Sequence, residues 1–275
     1  MTLILGKSFG AVNSKDAEKG IVDAAKKVSY NAVMTHYLIT GASRGLGRAM
    51  SAVLLERGAH VIGTARSEGA PAFGSPERLD WISSDLSLAD APQHIAQRAH
   101  SLCEHDSDAR IYLINNAGVV GPLGPVGELD SEAIQRHISI NLTAPLCLTN
   151  ELVKLFGSPR IFVCNITSGF ASRPAAGVSA YCSTKAGLDM FTRVIAEQAD
   201  AGLRSCAISP GTIDTDMQGE LRASTDHRFP PRERFVKLKE SGELSDPRRV
   251  AEKIVDALDD PGLASGSVLH VRDLS

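Results

Sequence analysis

The turn Gly41-Ala42-Ser43-Arg44-Gly45-Leu46-Gly47 restricts what this chain can fold into more than any other stretch. It joins a short apolar run, 36–40, to a helical pattern at 45–57 that stops at Gly58. Glycine takes positive φ without penalty and lets a backbone approach a neighbour or a ligand closely. A helix that begins directly after such a turn points free N–H groups and the positive end of its dipole at an anion. The spacing is Gly-x3-Gly-x-Gly rather than the commoner Gly-x-Gly-x-x-Gly dinucleotide fingerprint. Taken alone, the residues also fit a tight turn that binds nothing.

The rest of the chain repeats the same grammar. Apolar runs at 60–64, 79–83, 110–114, 160–166, 204–208 and 267–271 read as strands, and helical patterns fall between them. The helices are expected at about 89–104, 130–142, 144–156, 179–201 and 247–259, the last capped by Asp246 with Pro247 at its first position. Short buried strands alternating with helices predict an α/β fold: a single doubly wound domain with a seven-stranded parallel sheet flanked by helices. Ligands of such sheets bind at the carboxyl ends of the strands. The segment 212–245 breaks the rhythm, is polar and contains Pro230-Pro231, and is expected to be a mobile flap over a substrate. The domain is expected to span 34–275. Residues 1–33 precede a second methionine, Met34, and read as an appended arm or leader without a catalytic role, with a possible helix at 20–33.

Charge excludes some partners. The formal net charge is -3 and no basic run occurs, so nucleic acid and anionic membrane are poor partners, and no apolar stretch approaches a membrane span. The five cysteines, Cys103, Cys147, Cys164, Cys182 and Cys206, are scattered without metal-ligand spacing. Cys147, Cys164 and Cys206 sit in apolar stretches and are expected to be buried thiols, which suits a reducing, cytoplasmic location. No metal is expected.

Three further features carry chemistry. The second strand ends Gly63-Thr64-Ala65-Arg66-Ser67, with no carboxylate for the ribose 2′-OH of NAD. Arg66 offers a planar fork to a 2′-phosphate, with Ser43 and Arg44 as additional donors, so NADPH is the expected cofactor. A solvated surface arginine is the competing reading of Arg66. Tyr181 and Lys185 share one helix face, and an ammonium near a phenol lowers its pKa. Ser168 follows a strand directly, at the ligand side of the sheet.

Together these residues resemble the short-chain dehydrogenase/reductase family, whose fold is of the Rossmann type. The matching features are Thr40-Gly41-x3-Gly45-x-Gly47, Asp85, Asn115-Asn116-Ala117-Gly118, Asn141, Ser168, Tyr181-x3-Lys185 and Pro210-Gly211 with Thr215. The resemblance covers about 35–275. It implies that Tyr181 is the general acid, that Lys185 lowers its pKa and holds the nicotinamide ribose, that Ser168 steadies the oxyanion, and that Asn141 anchors a proton-relay water. It also implies that Asp85 and Leu86 border the adenine, that Asn116, Ala117 and Gly118 line the cofactor beside Gly41, Ser43, Arg44, Gly45, Leu46 and Gly47, and that Pro210, Gly211, Ile213, Thr215 and Met217 hold its nicotinamide end. Within the family the likeness is to members that reduce sepiapterin and benzil, carried by Ala180-Tyr181-Cys182 and by the stretch from Ser209 to Gln218. It implies an NADPH-dependent carbonyl reductase acting on vicinal dicarbonyls, and a homodimer or homotetramer. His270 stands where pterin-reducing members place an aspartate, with Asp273 three residues on. The alternatives are a 3-oxoacyl thioester reductase, another NADP-linked alcohol dehydrogenase, or a nucleotide-sensing protein without catalysis.

Overall fold

The computed structural model describes residues 34–106, 108–198 and 202–274. The helix expected at 20–33 lies outside them. Seven strands form one sheet, all parallel, in the order β3-β2-β1-β4-β5-β6-β7. They are β1 (Thr35–Thr40), β2 (His60–Ala65), β3 (Leu79–Ser83), β4 (Arg110–Asn115), β5 (Ile161–Ile166), β6 (Arg204–Ser209) and β7 (Ser267–His270). The order reverses between β1 and β4, and that switch point opens a crevice at the carboxyl edge.

The central strands are largely apolar on both sides because helices cover both faces. On one face, α1 (Gly45–Glu56) and α8 (Pro247–Asp259) pack Met50, Leu54, Ile254 and Val255 against Ile39, Val61 and Ile208. On the other, α2 (Ala91–Leu102), α4 (Ala144–Phe156) and α5 (Ser179–Glu197) pack Ile95, Leu148, Leu152 and Ile195 against Leu38, Ile62 and Leu113. Burying each such side chain contributes about 1.5–3 kcal/mol. The cap of α8 is as expected: Asp246 accepts from the Arg249 N–H at 3.0 Å.

Two expectations are corrected, and a third gains structural detail. The pattern at 130–142 is a short helix, α3 (Ser131–Ile138), followed by a π-helical turn, Ser139–Thr143, that runs into α4. Wide turns of this kind concentrate at functional sites. The segment 212–245, expected as a flap over the substrate, has secondary structure of its own. It holds α6 (Asp216–Ala223) and α7 (Arg232–Glu240), and its two ends are stapled by a bridge between Ile213 and Ser245 and by the Asp214–Lys239 ion pair. Its polar composition concealed Leu221, Phe229 and Phe235, which are buried in a third apolar cluster with Tyr181. Finally, Cys147 is exposed, because α4 turns that position outward from an otherwise apolar run; Cys103, Cys164 and Cys206 are buried. Among the described residues no helix is long and apolar enough to cross a membrane, and no group of His, Cys, Asp or Glu could hold a metal.

Candidate active site

The glycine turn is held by β4. Thr40 Oγ1 accepts from the N–H groups of Asn116 and Ala117, both at 3.0 Å, and Asn116 Nδ2 donates to the Thr40 carbonyl at 2.9 Å. Asn116 and Ala117 thus lock onto the end of β1, and Gly118 follows them toward Asn141 and Lys185. A Cβ on Gly41 would lie 2.9 Å from Ala117 Cα, and one on Gly47 would lie 2.3 Å from the Gly41 carbonyl oxygen. Gly41 and Gly45 both have positive φ, +69° and +54°.

Helix α1 opens at Arg44 with no side-chain cap. Its first-turn amides therefore face the crevice without a capping group from this chain, as a diphosphate requires. Beside them, Arg66 is exposed at the end of β2; the Asp85 carboxyl is held below its usual range chiefly by hydrogen bonds from Ser87, with smaller help from Arg136 and Arg66. Asp85 is held by its own loop, accepting from the Ser87 N–H at 2.9 Å, and Arg136 lies 3.8 Å away. Leu86 packs against the apolar core on the α2 face. Ser43 lies in the turn itself, half-buried. Arg44, also in the turn, is ion-paired with Asp216 at the start of α6, at 2.8 Å, and both side chains remain exposed. These residues fit a nicotinamide dinucleotide.

The loop after β6 closes the other side. Gly211 has φ +77°, and Thr215 sits 3.4 Å from where a Gly45 Cβ would be. Pro210 is half-buried at the strand end. Ile213 turns its side chain into the core. Met217 Sδ lies 4.0 Å from the Tyr181 hydroxyl.

Ser168, Tyr181, Lys185 and Asn141 converge at the carboxyl edge of β5. Ser168 follows β5, and its Oγ accepts from the Phe170 N–H at 3.2 Å. Lys185 Nζ donates to the Ile166 carbonyl at 2.7 Å and stands 5.7 Å from the centre of the Tyr181 ring. A Cβ on Gly118 would lie 3.5 Å from Asn141 Oδ1 and 3.7 Å from Lys185 Nζ, ordinary contact distances. The Asn141 amide is fully oriented: Oδ1 accepts from the Val119 N–H and Nδ2 donates to the Val119 carbonyl and to His137 Nε2.

The electrostatics differ from the sequence reading. Burial pushes the Tyr181 phenol up to about 12, and the hydrogen-bonded Ser168 hydroxyl only partly offsets this. Lys185 is itself pushed down to about 8 by burial, which Asp189 partly offsets. Burial outweighs whatever the ammonium does for the phenolate, because Lys185 lies over the ring and is tied to the Ile166 carbonyl, and desolvation disfavours both charges.

Sequence reasoning missed the apolar wall. Val120, Leu221 and Met217 gather with Phe170, whose ring meets Tyr181 edge-on at 6.4 Å. The 212–245 segment supplies much of it, and pairing across that distance leaves no local pattern. His137 was also missed, although its i,i+4 spacing from Asn141 was readable. His270 faces Gly211, accepts from the Arg272 N–H at 3.1 Å, and is lowered below the usual histidine range by burial. Asp273 is on the exposed turn beyond, 3.5 Å from Arg272.

Comparison with known proteins agrees with this geometry. Residues 35–226 match the family model for short chain dehydrogenase. The chain is 38% identical over 247 residues to a benzil reductase ((S)-benzoin forming) of Bacillus subtilis, covering 87% of this chain and 99% of that protein. It is 32% identical over 252 residues to the sepiapterin reductase of Meriones unguiculatus, covering 86% and 95%. Among solved structures, a blue fluorescent protein from a metagenomic library, in complex with NADPH, superposes with a TM-score of 0.67 at 25% identity, covering 88% of this chain and 97% of the other.

Proposed function

The chain belongs to the short chain dehydrogenase family, and on that footing we propose that it is an NADPH-dependent carbonyl reductase acting on vicinal dicarbonyl compounds of the benzil type. The observation that carries this reading is the convergence of Ser168, Tyr181 and Lys185 at the mouth of a crevice walled by Val120, Phe170, Met217 and Leu221. An apolar, partly aromatic wall beside a hydroxyl pair suits a flat aryl ketone.

When bound, the nicotinamide supplies a hydride. The glycine turn and the uncapped start of α1 would hold its diphosphate, Asp85 and Leu86 would border the adenine, and Arg66 would take a 2′-phosphate. The phenol of Tyr181 keeps its proton at neutral pH, as an acid for reduction must, and delivers it to the carbonyl oxygen. The Ser168 hydroxyl steadies the charge that develops there. Lys185, still mostly charged at neutral pH, favours the phenolate that remains.

His270 supports benzil over pterin. A neutral imidazole is a weaker partner for a guanidine-like ring edge than a carboxylate, and Asp273 is engaged with Arg272. The test is NADPH oxidation with benzil, simple diketones, a pterin dicarbonyl and a 3-oxoacyl thioester. Turnover of benzil and the diketones is expected. Turnover of the thioester alone would replace this reading with a 3-oxoacyl thioester reductase, and bound NADPH without any turnover would leave a nucleotide sensor. A homodimer or homotetramer formed through α4 and α5 belongs to the same reading, with Met190 and Val194 as exposed apolar side chains on α5. Five free cysteines support a reducing, cytoplasmic setting.

Cofactor choice has its own test. Arg66→Glu should cut kcat/KM with NADPH by about 30-fold or more through loss of a charge-assisted contact and added repulsion, and leave NADH within a fewfold. Equal efficiency of the wild type with NADH and NADPH would overturn the assignment of Arg66.

A further inference from the structure

Below Tyr181 and Lys185 lies a buried histidine that the mechanism above does not use. His137, in the last turn of α3, is 1% exposed. Its Nδ1 is 2.6 Å from the Gly121 carbonyl oxygen. A carbonyl only accepts, so Nδ1 carries a proton. Its Nε2 is 3.1 Å from Asn141 Nδ2, whose orientation is set independently by the N–H and carbonyl of Val119. An amide nitrogen only donates, so Nε2 is bare. Thr184 Oγ1 lies 3.1 Å from both Nε2 and the Tyr181 carbonyl, and its single proton turned toward the bare Nε2 bonds the ring to α5 and agrees with this assignment. Two separate partners thus demand the same neutral tautomer.

We infer that His137 is a positioning residue for the reductase site: its Nδ1-protonated, neutral imidazole fixes the amide of Asn141 and ties the 119–121 loop to the helix that carries Tyr181 and Lys185. The inference rests on the reductase reading given above. The ring touches neither substrate nor cofactor. It acts through Asn141, which lies beside Lys185, and through the Tyr181 ring, which it meets edge-on at 6.2 Å.

The clip is sensitive to acid. A proton on Nε2 would set an N–H against the Asn141 N–H and a positive charge near Lys185. The groups facing the ring are Lys185 and Tyr181 on α5, Asn141 on the π-helical turn, and the Gly121 carbonyl, beyond which Glu220 of α6 approaches. Burial and Lys185 hold the imidazole below the usual 6.5, while the Gly121 and Ala180 carbonyls pull upward without prevailing. The neutral form is therefore kept at neutral pH, and its contribution is lost as pH falls through that lowered pKa.

The experiment uses the full chain with His137→Leu and His137→Gln, NADPH, and benzil or another carbonyl that the wild type reduces. Leucine leaves the Gly121 carbonyl and an Asn141 N–H unpaired, so kcat should fall about 10- to 100-fold with the NADPH dissociation constant unchanged within about twofold. Glutamine can donate to Gly121 and accept from Asn141, so it should restore most of kcat and erase the acidic limb of the wild-type pH profile. In the wild type, ¹⁵N imidazole shifts should report one histidine protonated on Nδ1 alone at neutral pH. Unchanged kcat in His137→Leu, an acidic limb retained in His137→Gln, or an Nε2-protonated ring would overturn the inference. If the leucine variant does not fold, the glutamine profile and the ¹⁵N shifts decide. If the wild type reduces no carbonyl, the reductase reading fails, while the ¹⁵N shifts still test the tautomer.

Discussion

Tyr181→Phe should lower kcat for carbonyl reduction by about 10²–10⁴-fold, the range of a lost general acid, while NADPH still binds. Only an oxygen is removed. The ring keeps its edge-on contacts with Phe170 and His137 and its place in the apolar cluster, so the fold has no cause to change. What disappears is the one protonated acid beside Ser168, a phenol that burial holds at about 12. Single-turnover absorbance of NADPH separates the chemical step from binding, and near-normal turnover in the variant would remove Tyr181 from the mechanism. The wild type should also show an alkaline limb in kcat/KM. Burial lowers Lys185 to about 8, so its charge, present at neutral pH, is lost as pH rises through that value. A limb near the ordinary lysine value of 10.5 would contradict the burial of Lys185 as its cause.

Gly47→Ala should destabilise the fold and abolish tight NADPH binding together. Two effects oppose each other. Alanine in a helix interior is favoured over glycine by about 1 kcal/mol. Against that, the new Cβ would stand 2.3 Å from the Gly41 carbonyl oxygen and 2.5 Å from Asn116 Nδ2. The first is backbone and the second is bonded to the Thr40 carbonyl, so neither can yield cheaply. Overpacking of this kind costs about 1–3 kcal/mol or more, and relief requires moving α1 off the turn, where the diphosphate would sit. The melting temperature should drop by several degrees and the NADPH dissociation constant should rise about tenfold or more. Gly118→Ala is the contrast, since its Cβ would meet Asn141 and Lys185 only at ordinary contact distance, and its melting temperature should stay near wild type. An unchanged melting temperature in Gly47→Ala would show that the turn relaxes.

The parallel sheet was legible because strands covered on both faces must be apolar throughout, as Leu38, Ile39, Val61 and Ile62 are. The positions of Ser168, Tyr181 and Lys185 were legible for a related reason. A strand end and one face of a single helix are local geometry, and the spacing states them. Helix α8 was readable to its ends because Asp246 and Pro247 mark its start chemically.

The remainder was decided by contacts between distant segments. Leu221, Phe229 and Phe235 lie in a polar sequence, and only their packing on Val120, Val178 and Tyr181 makes them core. The ion pair of Arg44 with Asp216, 172 residues later, left no signal in the local sequence. The protonation of Tyr181 and Lys185 could not be read from their spacing, because burial outweighs the pairing that i,i+4 geometry suggests. His137 shows the same division. The sequence placed it four residues before Asn141, but its tautomer is set by the Gly121 carbonyl at one nitrogen and, at the other, by an Asn141 amide that Val119 orients, and only the folded chain brings Gly121 and Val119 there. Sequence determined the elements and the order in which they present their ends, because periodicity and capping are local. Tertiary structure decided charge, partner and pocket, because desolvation and hydrogen bonding depend on what the rest of the chain places nearby.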